Sequence, residues 1–312
     1  MIPRVYLENF SEDDGRLTVY SKRREKTLRP KPKDALIRAY YYSQPEGGIE
    51  NAQHAIETDF LGGIETNYPE LIEQISSRRL PDLELLYLIM YMMRSRSPAF
   101  REAFELGLAD KVNRIRLRIP KSEIPTPPVS MPDLWENLKV SIDPHRSLIA
   151  MAYYVENYLD VLFESRFQVA YAPRGQEFLT SDNPVVWYDV ARNGEVKTVY
   201  PNLPNQSTRV VFPLTKKIAL VGRYRQGMGN SFDSRAKVLT KNGIRQINEI
   251  QLACAWDEIV GNIRLPKISF NRFSKVAPKL HIAHYNSDSG AFVLSGTSLG
   301  PLREKAKFSR KK

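Results

Sequence analysis

The chain has 312 residues and a formal net charge of +11, with 42% hydrophobic and 10% aromatic residues. This size and composition support a hydrophobic core and exclude a chain that is disordered throughout. Its single cysteine, Cys254, excludes an internal disulfide, and we expect it to be buried in the core. No amino-terminal signal peptide is evident, and the longest apolar run is far shorter than the roughly 20 residues that span a bilayer. We therefore expect a cytoplasmic protein with no membrane partner.

The positive charge is concentrated in short segments. Residues 22–33 hold seven basic residues against Glu25, a net charge of +6, and residues 303–312 hold six against Glu304, a net charge of +5. Residues 111–121 add five basic residues and no acid. Clustered Lys and Arg are typical of proteins that bind polyanions, so the sequence indicates a nucleic-acid partner. The alternative is that these segments only keep the protein soluble.

The amino-terminal part of the chain is predicted to be mostly helical. It opens with a hairpin of residues 4–10 and 17–20 around the turn at residues 12–15, and residues 29–33 form an exposed extended connection. Three helices then follow, the last of which is apolar on nearly every face and is predicted to be buried: residues 50–62, 68–78 and 82–97.

The part after a proline-rich break at residues 120–132 is predicted to form a sheet between two long helices. Asp143 and Pro144 are typical of a helix start, and this helix runs to about Arg166. The last helix covers residues 244–260 and stops at Gly261. Between the two helices lie five predicted strands: residues 167–171, 177–186, 195–200, 209–214 and 218–224.

These elements predict an α+β fold in which a helical amino-terminal half packs on a carboxyl-terminal mixed sheet. We expect a single large domain over residues 1–302, helix-rich over 1–130 and sheet-rich over 131–302. Residues 303–312 have almost no apolar content, so they are predicted to be a disordered basic tail.

Three stretches of the chain carry a family resemblance. The opening has a Pro-x-x-Tyr-Leu-x-x-Phe pattern over residues 3–10, the centre has Thr180-Ser181-Asp182-Asn183-Pro184, and later segments cover residues 212–215 and 248–261. Together they resemble a bacterial and phage family known only as domain-of-unknown-function family 4238. The resemblance implies a shared fold and no established activity. Members usually carry a histidine two residues before the position of Ile2, which the sequence from Met1 does not include.

The central polar turn allows two interpretations of Asp182. Short polar residues such as those of residues 180–184 hydrogen-bond nearby backbone groups and hold sharp turns, which gives Asp182 a structural role. Alternatively, the turn presents Asp182 to a ligand or metal ion at the end of a buried strand.

The metal interpretation is sharpened by Glu195-Val196-Lys197. An Asp at one strand end followed by acid-x-Lys in the next is similar to the core of restriction-endonuclease-like nucleases. Asp182 and Glu195 are oxygen ligands suited to Mg²⁺, and Lys197 is placed to steady the attacking water or the scissile phosphate. Such triplets also arise by chance, and the preceding Asn193-Gly194 is typical of an ordinary hairpin turn.

Basic side chains supply the candidate nucleic-acid contacts. Residues 114–119 alternate basic and apolar side chains, so in a strand three guanidinium groups share one face, where they suit phosphate oxygens. An edge strand protected by its charges is the alternative. With the amino-terminal basic segment, the candidate residues are Arg23, Arg24, Lys26, Arg29, Arg114, Arg116 and Arg118.

The sequence thus leads to two hypotheses. The first is a nucleic-acid-interacting protein, in its sharpest form a Mg²⁺-dependent nuclease used in conflict between bacteria and phages, with Asp182, Glu195 and Lys197 as catalytic residues. The second is a non-catalytic binding or regulatory protein that docks a protein or RNA partner through its basic segments.

Overall fold

A computed structural model of the chain describes residues 2–37, 66–142, 155–191, 196–198, 207–227, 231–287 and 290–303. The helices are α1 (Arg4–Glu8), α2 (Tyr68–Ser76), α3 (Leu83–Ser95), α4 (Pro98–Leu117), α5 (Leu134–Asn137), α6 (Val155–Phe163), α7 (Lys241–Cys254) and α8 (Lys267–Phe273), with 3₁₀ turns at Pro32–Asp34 and Lys121–Glu123. The strands are β1 (Val19–Ser21), β2 (Lys26–Leu28), β3 (Ser165–Tyr171), β4 (Thr180–Ser181), β5 (Val186–Val190), β6 (Val196–Thr198), β7 (Arg209–Pro213), β8 (Ile218–Tyr224), β9 (Ser231–Val238), β10 (Glu258–Val260), β11 (Val276–Ser287) and β12 (Gly290–Pro301). The fold is α+β, as predicted.

The largest sheet has six strands in the order β6-β5-β7-β8-β3-β9. Its neighbours are antiparallel except β3 and β9, which run parallel, so the sheet is mixed, as predicted. Alternate side chains point to opposite faces of a strand. Accordingly Trp187 and Phe212 belong to one core cluster, while Val186 and Val211 belong to the other. Helices α2, α3 and α6 cover the first face and α7 covers the second.

A second sheet joins distant parts of the chain in the order β2-β1-β10-β4, and all its neighbours are antiparallel. The predicted opening hairpin is wrong in its first strand, because residues 4–8 form α1. Tyr6, Leu7 and Phe10 are fully buried, and this spacing is helical rather than alternating. The hairpin of this region is instead β1–β2, whose turn contains Glu25 at φ 50°.

Helix α3 confirms the prediction of a buried apolar helix. Asp82 caps its start by accepting a hydrogen bond from the Leu85 backbone amide at 3.1 Å, and residues 89–94 are all buried. Helix α4 follows directly, with Ser97 as its cap and Pro98 in its first turn. It extends through Leu117, so the predicted alternating strand over residues 114–119 is wrong.

The carboxyl-terminal region also departs from prediction. Helix α7 ends at Cys254 rather than at residue 260, and residues 258–260 form β10 between β1 and β4. Gly261 follows at φ 119°, a conformation that favours glycine. The hairpin of β11 and β12 was not predicted, and it packs against α4, α7 and α8.

Two further predictions concern the core and the membrane. Cys254 is fully buried, as predicted, and its burial raises the pKa of the thiol to about 12. Among the described residues, no helix has both the length and the apolar character needed to cross a membrane. The predicted helix over residues 50–62, the Asp143 cap and residues 304–312 of the predicted tail lie outside the described residues.

Candidate functional site

The carboxylate of Asp182 lies in a buried turn that joins two distant segments. Its Oδ1 accepts a hydrogen bond from the backbone amide of Trp256 at 2.8 Å. Its Oδ2 accepts from the amides of Asp257 and Glu258 at 2.9 and 3.2 Å. Asp182 is only 3% exposed to solvent. One carboxylate thus satisfies three successive backbone amides between α7 and β10, which explains why the helix ends there.

The other residues of this turn are also tied to α7. The hydroxyl of Ser181 donates to Gln251 Oε1 at 3.1 Å, and Gln251 Nε2 donates to the Pro184 carbonyl at 2.9 Å. Asn183 Nδ2 donates to the Cys254 carbonyl at 2.9 Å. All of these contacts are buried and connect the turn to the fold, as the structural interpretation of the motif requires.

Lys22 is enclosed beside the same turn. Its ammonium group donates to the carbonyls of Ala255 and Val276 at 2.9 and 2.7 Å, and the residue is 2% exposed. Burial lowers the pKa of Lys22 to about 7, against the opposing effect of the nearby Asp182 and Asp257 carboxylates. This lysine therefore links β1, α7 and β11 inside the protein.

Arg23 was predicted to contact nucleic acid, and the structure shows its side chain partly buried against other parts of the fold. Its guanidinium lies 3.6 Å from the centre of the Trp256 ring and 3.3 Å from Asp257 Oδ2. It also donates twice to the carbonyl of Arg303, at 2.9 and 2.7 Å. Arg303 in turn forms an ion pair with Glu102 of α4, so the first residue of the predicted tail is held on the fold.

The structure describes two of the three residues of the predicted metal site, Asp182 and Lys197. Asp182 already accepts three backbone amides, so its oxygens do not fit the role of Mg²⁺ ligands. Glu195 lies outside the described residues. Lys197 lies on β6, opposite Asp189, at the edge of the six-stranded sheet, whereas Asp182 follows β4 of the other sheet. Within the described ranges, no group of three or more His, Cys, Asp or Glu side chains is placed to hold a metal ion.

The arginines near the end of α4 do not share a face as predicted. In a helix, Arg114 and Arg118 share one face and Arg116 points elsewhere. Arg114 pairs with Asp110 at 3.0 Å, and Arg116 donates to the Trp135 carbonyl at 2.7 Å. Arg118 is exposed at the helix end.

The other three candidates of the amino-terminal segment are exposed. Arg24 and Lys26 lie on the β1–β2 turn and on β2, which is the edge of its sheet. Arg29 follows β2, pairs with Asp14 at 2.7 Å and donates to Thr18 Oγ1 at 2.6 Å. These three side chains are therefore accessible to solvent and partners, as are Lys31 and Lys33 of the same segment.

A cavity of about 310 Å³ lies near the end of the sheet that contains β4 and β10, and no motif in the sequence indicated it. It is formed by the start of α7, the turn before β4 and the segment after β10. Three cations line it: Lys241, Arg245 and Arg264. Lys241 and Arg245 are four residues apart and share one helix face, which the sequence does show, but Arg264 reaches them only through the fold.

The acid among the residues that line this cavity is Glu177, which pairs with Lys217 at 3.2 Å. Arg264 donates to the Gly175 carbonyl at 3.3 Å, and Arg245 lies 3.9 Å from Glu249. At one wall, Asn248 accepts from the Leu179 amide and donates to the Glu177 carbonyl, both at 2.8 Å. The wall is therefore fixed, while the charge facing the cavity is predominantly positive.

Comparison with protein-family models gives a match over residues 1–264 to DUF4238, a protein of unknown function. Comparisons with curated proteins and with solved structures give no significant match.

Proposed function

The chain belongs to the DUF4238 family, whose function is unknown, and from its charges we propose that it is a non-catalytic nucleic-acid-binding protein. The observation that carries this proposal is a surface of exposed cations around β2 and along the segment after β10. We call it the cationic surface, and it consists of Arg24, Lys26, Arg29, Arg264 and Lys267.

Hydrogen bonds and ring packing bring the segment around β1 and β2 close to the segment after β10. Arg29 donates to the Thr18 side chain, and the Gly261 amide donates to the Thr18 carbonyl at 2.8 Å. The chain then continues from Gly261 towards Arg264. The Tyr20 ring of β1 packs 5.1 Å from the Phe270 ring, which places α8 beside β1. Clustered exposed Lys and Arg bind the phosphates of nucleic acids irrespective of sequence.

The non-catalytic part of the proposal rests on Asp182. A carboxylate that is enclosed and accepts three backbone amides serves the fold, and it is not presented to a scissile phosphate. We propose a role in conflict between bacteria and phages, in the cytoplasm, as binding to nucleic acid rather than cleavage of it.

Binding to short mixed-sequence DNA and RNA, followed by fluorescence anisotropy, tests this proposal. The association constant should fall steeply between about 50 and 200 mM salt, because each phosphate contact releases counterions. Reversing charge in the double variant Arg24→Glu, Lys26→Glu should weaken binding and reduce the salt slope by about 2, one for each lost contact.

A matched control is the double variant Arg223→Glu, Arg225→Glu. It makes the same change in net charge, and its two residues have the same spacing in the sequence. They lie at the far end of β8, about 20 Å along the strand from Lys217, which pairs with the cavity residue Glu177. The control should keep the salt slope of the parent protein. Equal loss of slope in both variants, or no binding at low salt, would overturn the proposal. Mg²⁺-dependent cleavage of the bound strand by the parent protein would overturn its non-catalytic part.

A further inference from the structure

The cavity beside α7 has the character of a ligand site rather than of a gap in packing. Most of the residues that line it are polar, and three of them, Lys241, Arg245 and Arg264, are exposed to solvent. A volume of about 310 Å³ lies at the lower end of the range for small-molecule sites, roughly 300 to 1,000 Å³. It is large enough for a phosphate group with a sugar and too small for a duplex.

The charges around the cavity select an anion. Three cations face one acid, Glu177, whose charge is offset by Lys217. Two of the cations are arginines, whose planar forks match phosphate oxygens with paired hydrogen bonds, and Lys241 adds a compact charge. The long 3.9 Å separation between Arg245 and Glu249 leaves the Arg245 guanidinium only weakly engaged by that acid.

The remaining polar groups suit the sugar of such a ligand. Asn262 and Gln176 also line the cavity, and their amide groups both donate and accept hydrogen bonds. Asn248 is 7% exposed, and its amide is fixed by the Leu179 and Glu177 backbones, so this wall keeps its shape without the ligand. A preformed wall lowers the entropic cost of binding.

We infer that this cavity binds a phosphate monoester attached to a sugar, either in a free nucleotide or at the phosphorylated 5′ end of a nucleic acid. The second source deepens the proposed function and rests on it, whereas the first does not. Arg264 belongs to both the cavity and the cationic surface. A strand bound along that surface would therefore present its terminal phosphate to Lys241 and Arg245.

Matched ligands that differ in one phosphate test the inference. The affinities of the parent protein are compared for a nucleoside and its 5′-monophosphate, and for one short oligonucleotide with a 5′-hydroxyl or a 5′-phosphate. The phosphate should improve binding by about tenfold or more in at least one pair, as expected for charge-assisted hydrogen bonds. A preference for the phosphorylated ligand in both pairs would show that a free phosphate monoester is sufficient for binding. A preference in the oligonucleotide pair alone would show that the site needs the end of a nucleic acid.

The double variant Lys241→Gln, Arg245→Gln should abolish this preference, and Arg245→Lys should retain part of it because the charge stays while the fork is lost. The control Arg24→Glu, Lys26→Glu should weaken oligonucleotide binding overall while keeping the preference for the phosphorylated end. No phosphate preference in either pair, or one that persists in the glutamine variant, would overturn the inference.

The failures of the two proposals are distinguishable. Salt-dependent binding of oligonucleotides without any phosphate preference would remove the cavity as a phosphate site and leave the nucleic-acid function standing. Nucleotide binding that needs Lys241 and Arg245, without any oligonucleotide binding, would do the reverse.

Discussion

The turn around Asp182 and the cavity beside α7 use the same kinds of charged side chain in opposite ways. Asp182 and Lys22 are 3% and 2% exposed, and their polar atoms contact backbone groups of the protein itself. Lys241 and Arg245 are exposed and face a cavity. The most distinctive motif of this sequence therefore holds the fold, whereas the proposed ligand site is formed by residues that belong to no motif.

The physical reason lies in the cost of burying charge. A buried charge is tolerated only when hydrogen bonds or an opposite charge compensate it. The buried polar groups around Asp182 therefore depend on one another as hydrogen-bond partners. An exposed cation carries no such requirement and contributes little to stability. Substitutions in the two regions should therefore differ strongly in their effect on folding.

The largest effect is expected for Asp182→Asn. The amide that replaces the carboxylate has one acceptor oxygen for three backbone amides, so at least one buried donor is left unsatisfied. The free energy of unfolding should fall by about 3 kcal/mol, at the upper end for hydrogen bonds to a charged group. Urea denaturation followed by tryptophan fluorescence measures it. Asp14→Asn, at an exposed ion pair, is the control and should change stability far less.

The pH dependence of stability should depend on Lys22. Burial lowers its pKa from the ordinary 10.5 to about 7 in the folded protein. Between these values the unfolded chain binds more protons than the folded one, so the free energy of unfolding should rise with pH. The contribution is at most about 1.4 kcal/mol per pH unit. Lys22→Met should remove this rise between pH 7 and 9.5, and the exposed Lys26→Met should keep it. An equal slope in the parent and Lys22→Met would show that Lys22 is not the titrating group.

A smaller effect is expected where the tail leaves the fold. The Arg303 side chain pairs with Glu102 and donates to the Pro278 carbonyl, so Arg303→Ala should lower the free energy of unfolding by about 1 to 2 kcal/mol. Deletion of residues 304–312 should leave the melting temperature nearly unchanged, because this segment has almost no apolar content. A larger loss from the deletion than from Arg303→Ala would mean that the tail itself docks on the fold.

The smallest effect on stability is expected at the cavity. Lys241→Gln and Arg245→Gln replace exposed side chains, so each should change the free energy of unfolding by no more than about 0.5 kcal/mol. The same denaturation experiment measures this change. A loss comparable to that of Asp182→Asn would show that both regions serve the fold.

The sequence predicted the elements whose hydrophobic pattern is local. Helix α3 and strand β8 lie close to where the pattern placed them, because the spacing of apolar residues within a short segment predicts its secondary structure. Helix α1 was missed because the short segment also suits a strand. Residues 114–119 were misassigned because alternation over six residues gave no sign of the helix preceding them.

The candidate site was harder to predict because its contacts are remote in sequence. The structural role of Asp182 was one of two interpretations, and its donors lie more than 70 residues away, at Trp256 to Glu258. No pattern near Arg23 in the sequence indicated its contacts with the Trp256 ring and the Arg303 carbonyl. The cavity likewise needs Arg264 beside Lys241 and Arg245, and the start of α7 and the segment after β10 come together only in the folded chain.

The effect of Mg²⁺ on the unfolding of the parent protein tests the central claim most directly. A ligand that binds only the folded state raises the free energy of unfolding by about 2.7 kcal/mol at a hundred times its dissociation constant. If Asp182 serves the fold through the amides of residues 256–258, millimolar Mg²⁺ should give no stabilisation beyond that of sodium chloride at equal ionic strength. Stabilisation by Mg²⁺ that disappears in a still-folded Asp182→Asn would contradict the account and identify Asp182 as a metal ligand.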